Sequence, residues 1–173
     1  MAIPLPIETE RLVLRVFDLA TDPEPMRAVY GEPEVMRFIP GGAVADLESV
    51  AAMLEGYVTA QAQRGFSSWA VVERATGRVI GDAGLGVFAG TGDVELGYTL
   101  ARDRWGRGFA TEAAAACLAA GLAHLDVPRL VAVVDVENAA SLRVAERIGM
   151  ARVETIAAFG RPHALFAVTR PAG

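Results

Sequence analysis

The stretch Trp105-Gly106-Arg107-Gly108-Phe109-Ala110-Thr111 has the residue types best suited to holding a phosphate. Two glycines at alternate positions let a backbone come close to a ligand, and the residues after them present N–H groups that no helical carbonyl accepts. Those donors, with the positive end of a helix dipole, suit a phosphate or pyrophosphate. Arg107 adds a formal charge, and Ala110, Ala113 and Ala114 let the helix start pack near a sheet. The plain alternative is a tight strand-to-helix turn with no ligand. A Walker-type loop is excluded, because no Lys-Ser/Thr pair follows and the chain has no lysine. A dinucleotide loop normally follows the first strand of a parallel sheet, whereas this one follows the fourth predicted strand.

Glu95 is the second residue with chemical potential. Along 94–100, Glu95, Gly97 and Thr99 share one face of a strand, and Val94, Leu96, Tyr98 and Leu100 share the other. Gly97 leaves a gap beside Glu95 where a ligand or water fits. A carboxylate there could accept a proton from an ammonium nucleophile through a water. It reads equally well as a solvent-facing glutamate on a half-exposed strand.

The remaining candidates have ordinary readings beside functional ones. Asn138 is a good N-cap with amide capacity to spare for a ligand. Cys117 falls on an apolar helix face and reads as core. His124, in a last helical turn, complements the dipole, and Glu112 does the same at a helix start. His163 sits in the Arg161-Pro162-His163 loop, as a loop histidine or at the border of a substrate site. Phe38, Trp69 and Phe88 could line such a site, and core packing explains each of them too.

The elements that must position these residues follow from periodicity. Residues 12–16 read as a strand after a polar approach at 8–11, and 19–30 and 47–63 as helices. The 31–42 stretch between them, with Pro33, Pro40 and a glycine pair, is a loop or broken helix. Strands at 69–72, 79–81 and 94–100 are separated by Thr76-Gly77 and Gly90-Thr91-Gly92, which predicts an antiparallel meander. The period then changes. Ala113, Ala114, Cys117, Leu118, Gly121, Leu122 and Leu125 form one helical face, followed by Pro128 and a strand at 130–134. Asn138 opens a second helix with Leu142, Ala145 and Ile148 on one side, and Gly149 ends it. Residues 150–154 and 165–168 read as the last strands. This order predicts a single α+β (mixed α/β) domain over 1–173, with the strands before Trp105 and after Pro128 parallel and joined by a right-handed crossover.

Composition limits the partners. The chain has 173 residues, 53% of them apolar, and a net charge of −5. That acidity argues against nucleic acid and mildly favours a cationic or amine-bearing partner. No run approaches the roughly 18 apolar residues of a membrane span, and the start has no signal-peptide pattern. A single cysteine excludes an internal disulfide and a cysteine-based metal site. The expectation is a cytoplasmic protein with no membrane partner and no metal, either monomer or homodimer.

The glycine stretch resembles the cofactor motif of the GNAT acetyltransferases, Gln/Arg-x-x-Gly-x-Gly/Ala, with Gly108 and Ala110 in its last two places. Trp105 stands where Gln or Arg is usual, a departure common in the ribosomal-protein N-terminal acetyltransferase (RimJ/RimL-like) branch. Thr9-Glu10-Arg11-Leu12-Val13-Leu14-Arg15, Glu95-Leu96-Gly97-Tyr98, and Asn138-x-x-Ser141 with Glu146-Arg147-Ile148-Gly149-Met150 are similar to other stretches of that branch. A weaker echo follows at Phe166–Arg170.

The resemblance implies a GNAT-like sheet, mostly antiparallel, whose fourth and fifth strands splay around acetyl-CoA. It assigns the pyrophosphate to residues 105–111, and the pantetheine arm to the backbone near Tyr98, Thr99 and Leu100 and to Asn138 and Ser141. An amine acceptor (a protein N-terminus, amino acid, polyamine or antibiotic) would attack the thioester directly, with Glu95 as base. Many relatives protonate the leaving thiolate with a tyrosine in or after the second helix. No tyrosine lies beyond Asn138, so Ser141 or water takes that role, unless Ser141 is an ordinary helix serine. A non-catalytic acyl-CoA sensor and a nucleotide-binding enzyme are the competing functions. Ligand binding to the folded state raises its melting temperature. CoA is therefore expected to raise it in a thermal-shift experiment, where NAD and ATP at equal concentration do not.

Overall fold

The computed structural model describes residues 2–170. The chain runs β1 (Ile7–Glu8), β2 (Leu12–Arg15), α1 (Pro23–Tyr30), α2 (Leu47–Arg64), β3 (Ser68–Glu73), β4 (Val79–Val87) and β5 (Val94–Leu100). A 3-10 turn at Arg102–Arg104 leads to α3 (Phe109–His124), β6 (Arg129–Asp135), α4 (Ala139–Arg147), β7 (Ala151–Ala158) and β8 (Arg161–Thr169). All eight strands belong to one sheet of order β1-β2-β3-β4-β5-β6-β8-β7. Every neighbouring pair is antiparallel except β5 and β6, which the α3 crossover makes parallel. The α+β fold and its parallel pair are as the sequence predicts. The short β1 makes this pair fifth and sixth rather than fourth and fifth.

The first helix starts at Pro23 rather than near residue 19. Turns occupy 19–22, and proline at the first helical position needs no N–H donor. Asp46 caps α2 by accepting from Ser49 N–H at 2.8 Å, and Asn138 caps α4 by accepting from Ser141 N–H at 3.2 Å. The last two strands are longer than expected and meet in a two-residue turn, Phe159-Gly160.

One side of the sheet carries the main core. Ala113, Ala114, Cys117, Leu118 and Gly121 on α3 are buried against Leu14, Leu85, Leu96 and Leu130. Burial pushes the Cys117 thiol up, which fits a core residue and not a nucleophile. The other side packs α1 and α2 through Met26, Val29, Tyr30, Val50 and Leu54 onto Ala70. The two helix pairs thus cover opposite faces of the same sheet.

Glu112, in the first turn of α3, ties that helix to the β1–β2 turn. Its carboxylate accepts from Thr9 Oγ1 at 2.6 Å, Arg11 N–H at 2.8 Å and Arg11 Nε at 2.7 Å. Arg11 also donates to the Arg107 carbonyl at 2.8 Å and lies 4.4 Å above the Phe109 ring. Burial opposes ionisation of Glu112, but these donors outweigh it and hold the carboxyl below its usual range. A carboxyl with a lowered folded-state pKa stabilises the fold above its unfolded value and loses that contribution as pH falls through the folded one. Glu112→Gln is therefore expected to cost about 1–3 kcal/mol at pH 7. The deficit should shrink below about pH 4, as urea titrations at both pH values will show.

Candidate active site

β5 and β6 pair only at Val94↔Leu130 and Glu95↔Val131, although both strands continue. Ala101 N–H donates to Ile80 O and Phe88 N–H to Asp93 O, so the odd-numbered residues of β5 turn their backbone groups to β4. The even-numbered ones face the opening. Tyr98 and Leu100 accordingly border the cleft. Thr99 does not: its backbone faces Asp82 on β4, and its side chain lies on the opposite face of the sheet from Tyr98. The placement of Thr99 at the cofactor is thereby corrected. Trp105 closes the end of the strand, its indole N–H donating to Leu100 O at 2.9 Å.

The helix start lies at the mouth of this opening. Trp105, Gly106, Arg107 and Gly108 are all exposed, and Gly106 and Gly108 have φ of 71° and 80°. A side chain at Gly106 would meet nothing within 4 Å, and one at Gly108 would meet only Arg11 Nη2 at 3.4 Å. The first intrahelical bond runs from Glu112 N–H to Gly108 O. The N–H groups of Phe109, Ala110 and Thr111 precede it, and no side chain caps the helix. The Phe109 ring itself is buried in the core, so this residue can offer only its backbone to a ligand.

Across the opening, Tyr98 Oη donates to Ser141 Oγ at 2.9 Å. Burial raises the Tyr98 phenol, opposed by Ser141, so it stays protonated. The sequence places both residues in the site but gives no sign of this bond, which depends on α4 lying beside β5. Asn138 Oδ1 is committed to the cap, leaving its NH2 group for other partners.

On the other face of the sheet stands Glu95, half-buried. Gly86 pairs with Glu95 and Gly84 with Gly97, and a Cβ at Gly86 or Gly97 would meet nothing within 4 Å. On its β4 side the carboxylate thus meets bare backbone, while Val131 stands beside it on β6. Burial pushes its pKa up to about 7, partly offset by the Val133 backbone N–H on the parted strand. Asp82 lies on the same face, pushed up to about 6 by burial against hydrogen bonds from Tyr30, Ser68 and Thr99.

The four expected substrate-lining residues separate. Phe88 and His163 come together through Phe159, which lies 6.3 Å and 5.6 Å from them between ring centroids. Nothing in the local pattern marks Phe159, since only the hairpin brings it here. Trp69 is fully buried in the core, with its indole N–H on Gln61 at 2.8 Å, and its expected place at a substrate is corrected. Phe38 lies between α1 and α2 with the Arg37 guanidinium over its ring. Among the described residues, no group of three or more His, Cys, Asp or Glu is placed to hold a metal, and no helix is long and apolar enough to cross a membrane.

Comparison with known proteins agrees with this geometry. Residues 11–151 match the family model described as acetyltransferase (GNAT) domain. The uncharacterized protein YkkB of Bacillus subtilis (strain 168) is 30% identical over 160 residues, covering 91% of this chain and 92% of its own. The uncharacterized N-acetyltransferase p20 of Bacillus licheniformis is 28% identical over 137 residues, covering 79% and 76%. The crystal structure of a GNAT-family acetyltransferase from Bacillus anthracis superposes with a TM-score of 0.83 at 24% identity, covering 97% and 100%. Two more distant structures share the fold. They are ribosomal-protein-S5-alanine acetyltransferase from Vibrio fischeri (TM-score 0.81, 15% identity, 97% and 98% covered) and the microcin C7 self-immunity acetyltransferase MccE with acetyl-CoA and AMP (0.78, 12%, 93% and 93%). With a family match across most of its length and a cleft built at the parting of its two parallel strands, the chain belongs to the GNAT acetyltransferase family and is an acyltransferase.

Proposed function

We propose that the protein moves an acetyl group from acetyl-CoA to a primary amine by direct attack, with Glu95 taking the proton the amine must lose. What carries this reading is the position of Glu95: one half-buried carboxylate beside the bare backbone of Gly86 and Gly97, where β5 and β6 part. An ammonium cannot attack until it is deprotonated, and a base with a pKa near neutrality suits that transfer.

The residues present fit acetyl-CoA. The open backbone at Gly106 and Gly108, the uncapped N–H groups of Phe109, Ala110 and Thr111, and Arg107 would hold its pyrophosphate. The free edge of β5 at Tyr98 and Leu100, with Asn138 and Ser141, would hold its pantetheine arm. When bound, acetyl-CoA supplies an acetyl thioester as the electrophile. Ser141 Oγ accepts from Tyr98 and so keeps its own proton free to give to a departing anion, with the Tyr98 phenol behind it.

The RimJ/RimL-like stretches and the fold shared with the Vibrio fischeri enzyme support assignment to the ribosomal-protein N-terminal acetyltransferase branch as a sequence type. The acceptor is a protein N-terminus or a small-molecule amine. A cytoplasmic location belongs to the same reading, supported by a lone, buried, unpaired Cys117.

The test is free-thiol release from acetyl-CoA across an amine and peptide panel, run on wild type and Glu95→Gln. The variant should bind acetyl-CoA normally and lose on the order of 10²-fold in rate at neutral pH. The wild-type rate should rise through about pH 7, and the deficit should shrink toward the amine's own pKa. A carboxyl raised above its unfolded pKa costs stability as pH climbs from the unfolded to the folded value. Glu95→Gln should therefore be at least as stable as wild type at pH 8. An unchanged pH–rate profile, or a rate per folded molecule equal to wild type, refutes the role of Glu95.

A further inference from the structure

Phe159 and Gly160 form the turn between the paired residues Ala158 and Arg161. Both turn residues have positive φ, 51° and 74°, as a two-residue type I′ hairpin demands. Asn, Asp or Gly suits the first position, whereas a bulky side chain there is a backbone outlier. The Phe159 ring is 59% exposed, yet it packs edge-on to Phe88 and His163. Phe88 is only 7% exposed and belongs to none of the hydrophobic clusters of the core. Its cover comes from Phe159 and from the turn at Gly90.

These rings border the floor around Glu95. Phe88 lies two residues, roughly 7 Å, beyond Gly86 on the face that carries Glu95. His163 pairs with Asp135, which lies on the same face of β6 as Val131, the register partner of Glu95. Phe159 spans the gap between them, so the aromatic wall and the carboxylate share one open patch.

The other carboxylates of the central strands on this face are engaged. Arg129 holds Asp93 at 3.0 and 2.7 Å, Arg161 holds Asp135 at 2.6 Å, and the Tyr30 hydroxyl donates to Asp82 at 2.9 Å. Glu95 alone among them has neither a cation nor a side-chain hydroxyl bonded to it among the described residues. The patch therefore matches one ammonium beside an apolar ring surface. A second ammonium would be desolvated against the aromatic wall with no counter-charge, while an acceptor ring gains edge or offset contacts there.

We propose that the acceptor is a monoamine whose primary amino group stands a short linker away from an aromatic ring, the ring packing against the exposed Phe159, which the buried Phe88 and His163 hold in place, while the nitrogen reaches Glu95. The inference rests on the acetyltransfer reading above and names its substrate class. Its test is thiol release from acetyl-CoA with 2-phenylethylamine, butylamine and spermidine, using wild type, Phe159→Ala and Phe159→Tyr. CoA affinity and melting temperature are measured alongside. In wild type, kcat/KM for 2-phenylethylamine should exceed that for each of the other amines by tenfold or more. Phe159→Ala should cut that preference to threefold or less with CoA affinity and folding intact, and Phe159→Tyr should restore most of it. A wild-type ratio near one, a preference for spermidine, or an unchanged ratio in Phe159→Ala overturns the inference. So does a protein that binds CoA and acetylates none of the three amines. A folded protein that binds no CoA fails at the donor, which overturns the acetyltransfer reading as well and marks that failure as the separate one.

Discussion

Two strands that run side by side in the same direction ordinarily share a ladder along their whole contact, yet β5 and β6 share only two pairs before they part. Buried backbone N–H and C=O groups need partners, so each group released by the parting must be met by something else. The Trp105 indole takes Leu100 O. The Val133 N–H turns toward Glu95 and favours its ionised form. The Tyr98 edge remains, lined up with the start of α3, and a ligand with amide groups can complete the ladder that β6 does not.

The same parting divides the labour between the two faces of the sheet. Helices α3 and α4 pack on one face, and they bring the uncapped start of α3 and the Tyr98–Ser141 pair to the opening from that side. Glu95 rises on the other face, in a gap that α1 and α2 do not cover. In the proposed reaction, proton acceptance and proton donation are thus kept apart by a single layer of backbone. A carboxylate and a phenol placed together on one face would perturb each other's protonation; the sheet lets one be raised toward neutrality while the other stays neutral.

Much of this framework is legible in the sequence because it is periodic or local. The alternation of 94–100 places Glu95 and Gly97 on one face, the spacing from Ala113 to Leu125 draws the buried side of α3, and the two glycines before Phe109 mark a turn with positive φ. What escapes is set by partners far away in the chain. Glu112 reads as a dipole-complementing residue, but its main role is to bind Thr9 and Arg11, a hundred residues earlier. Trp69 carries the composition of a binding-site residue and is core, because β3 turns it into the cluster under α3. Thr99 alternates correctly with Tyr98 and Leu100, yet which edge of β5 stays free depends on the register with β4. Residues 155–158 and 161–164 do not read as strand in the sequence, since their apolar runs are broken by the turn and by Pro162.

The hairpin that joins those last strands has a consequence for how readily the enzyme changes. A residue chosen by the turn alone would be asparagine, which tolerates positive φ and relaxes the backbone where phenylalanine resists it. Stability and acceptor discrimination therefore pull in opposite directions at one exposed position outside the core. Drift that relaxes selection on the acceptor has an easy route there, toward a sturdier and less selective enzyme. The cofactor cleft, two strands away, would not register the change.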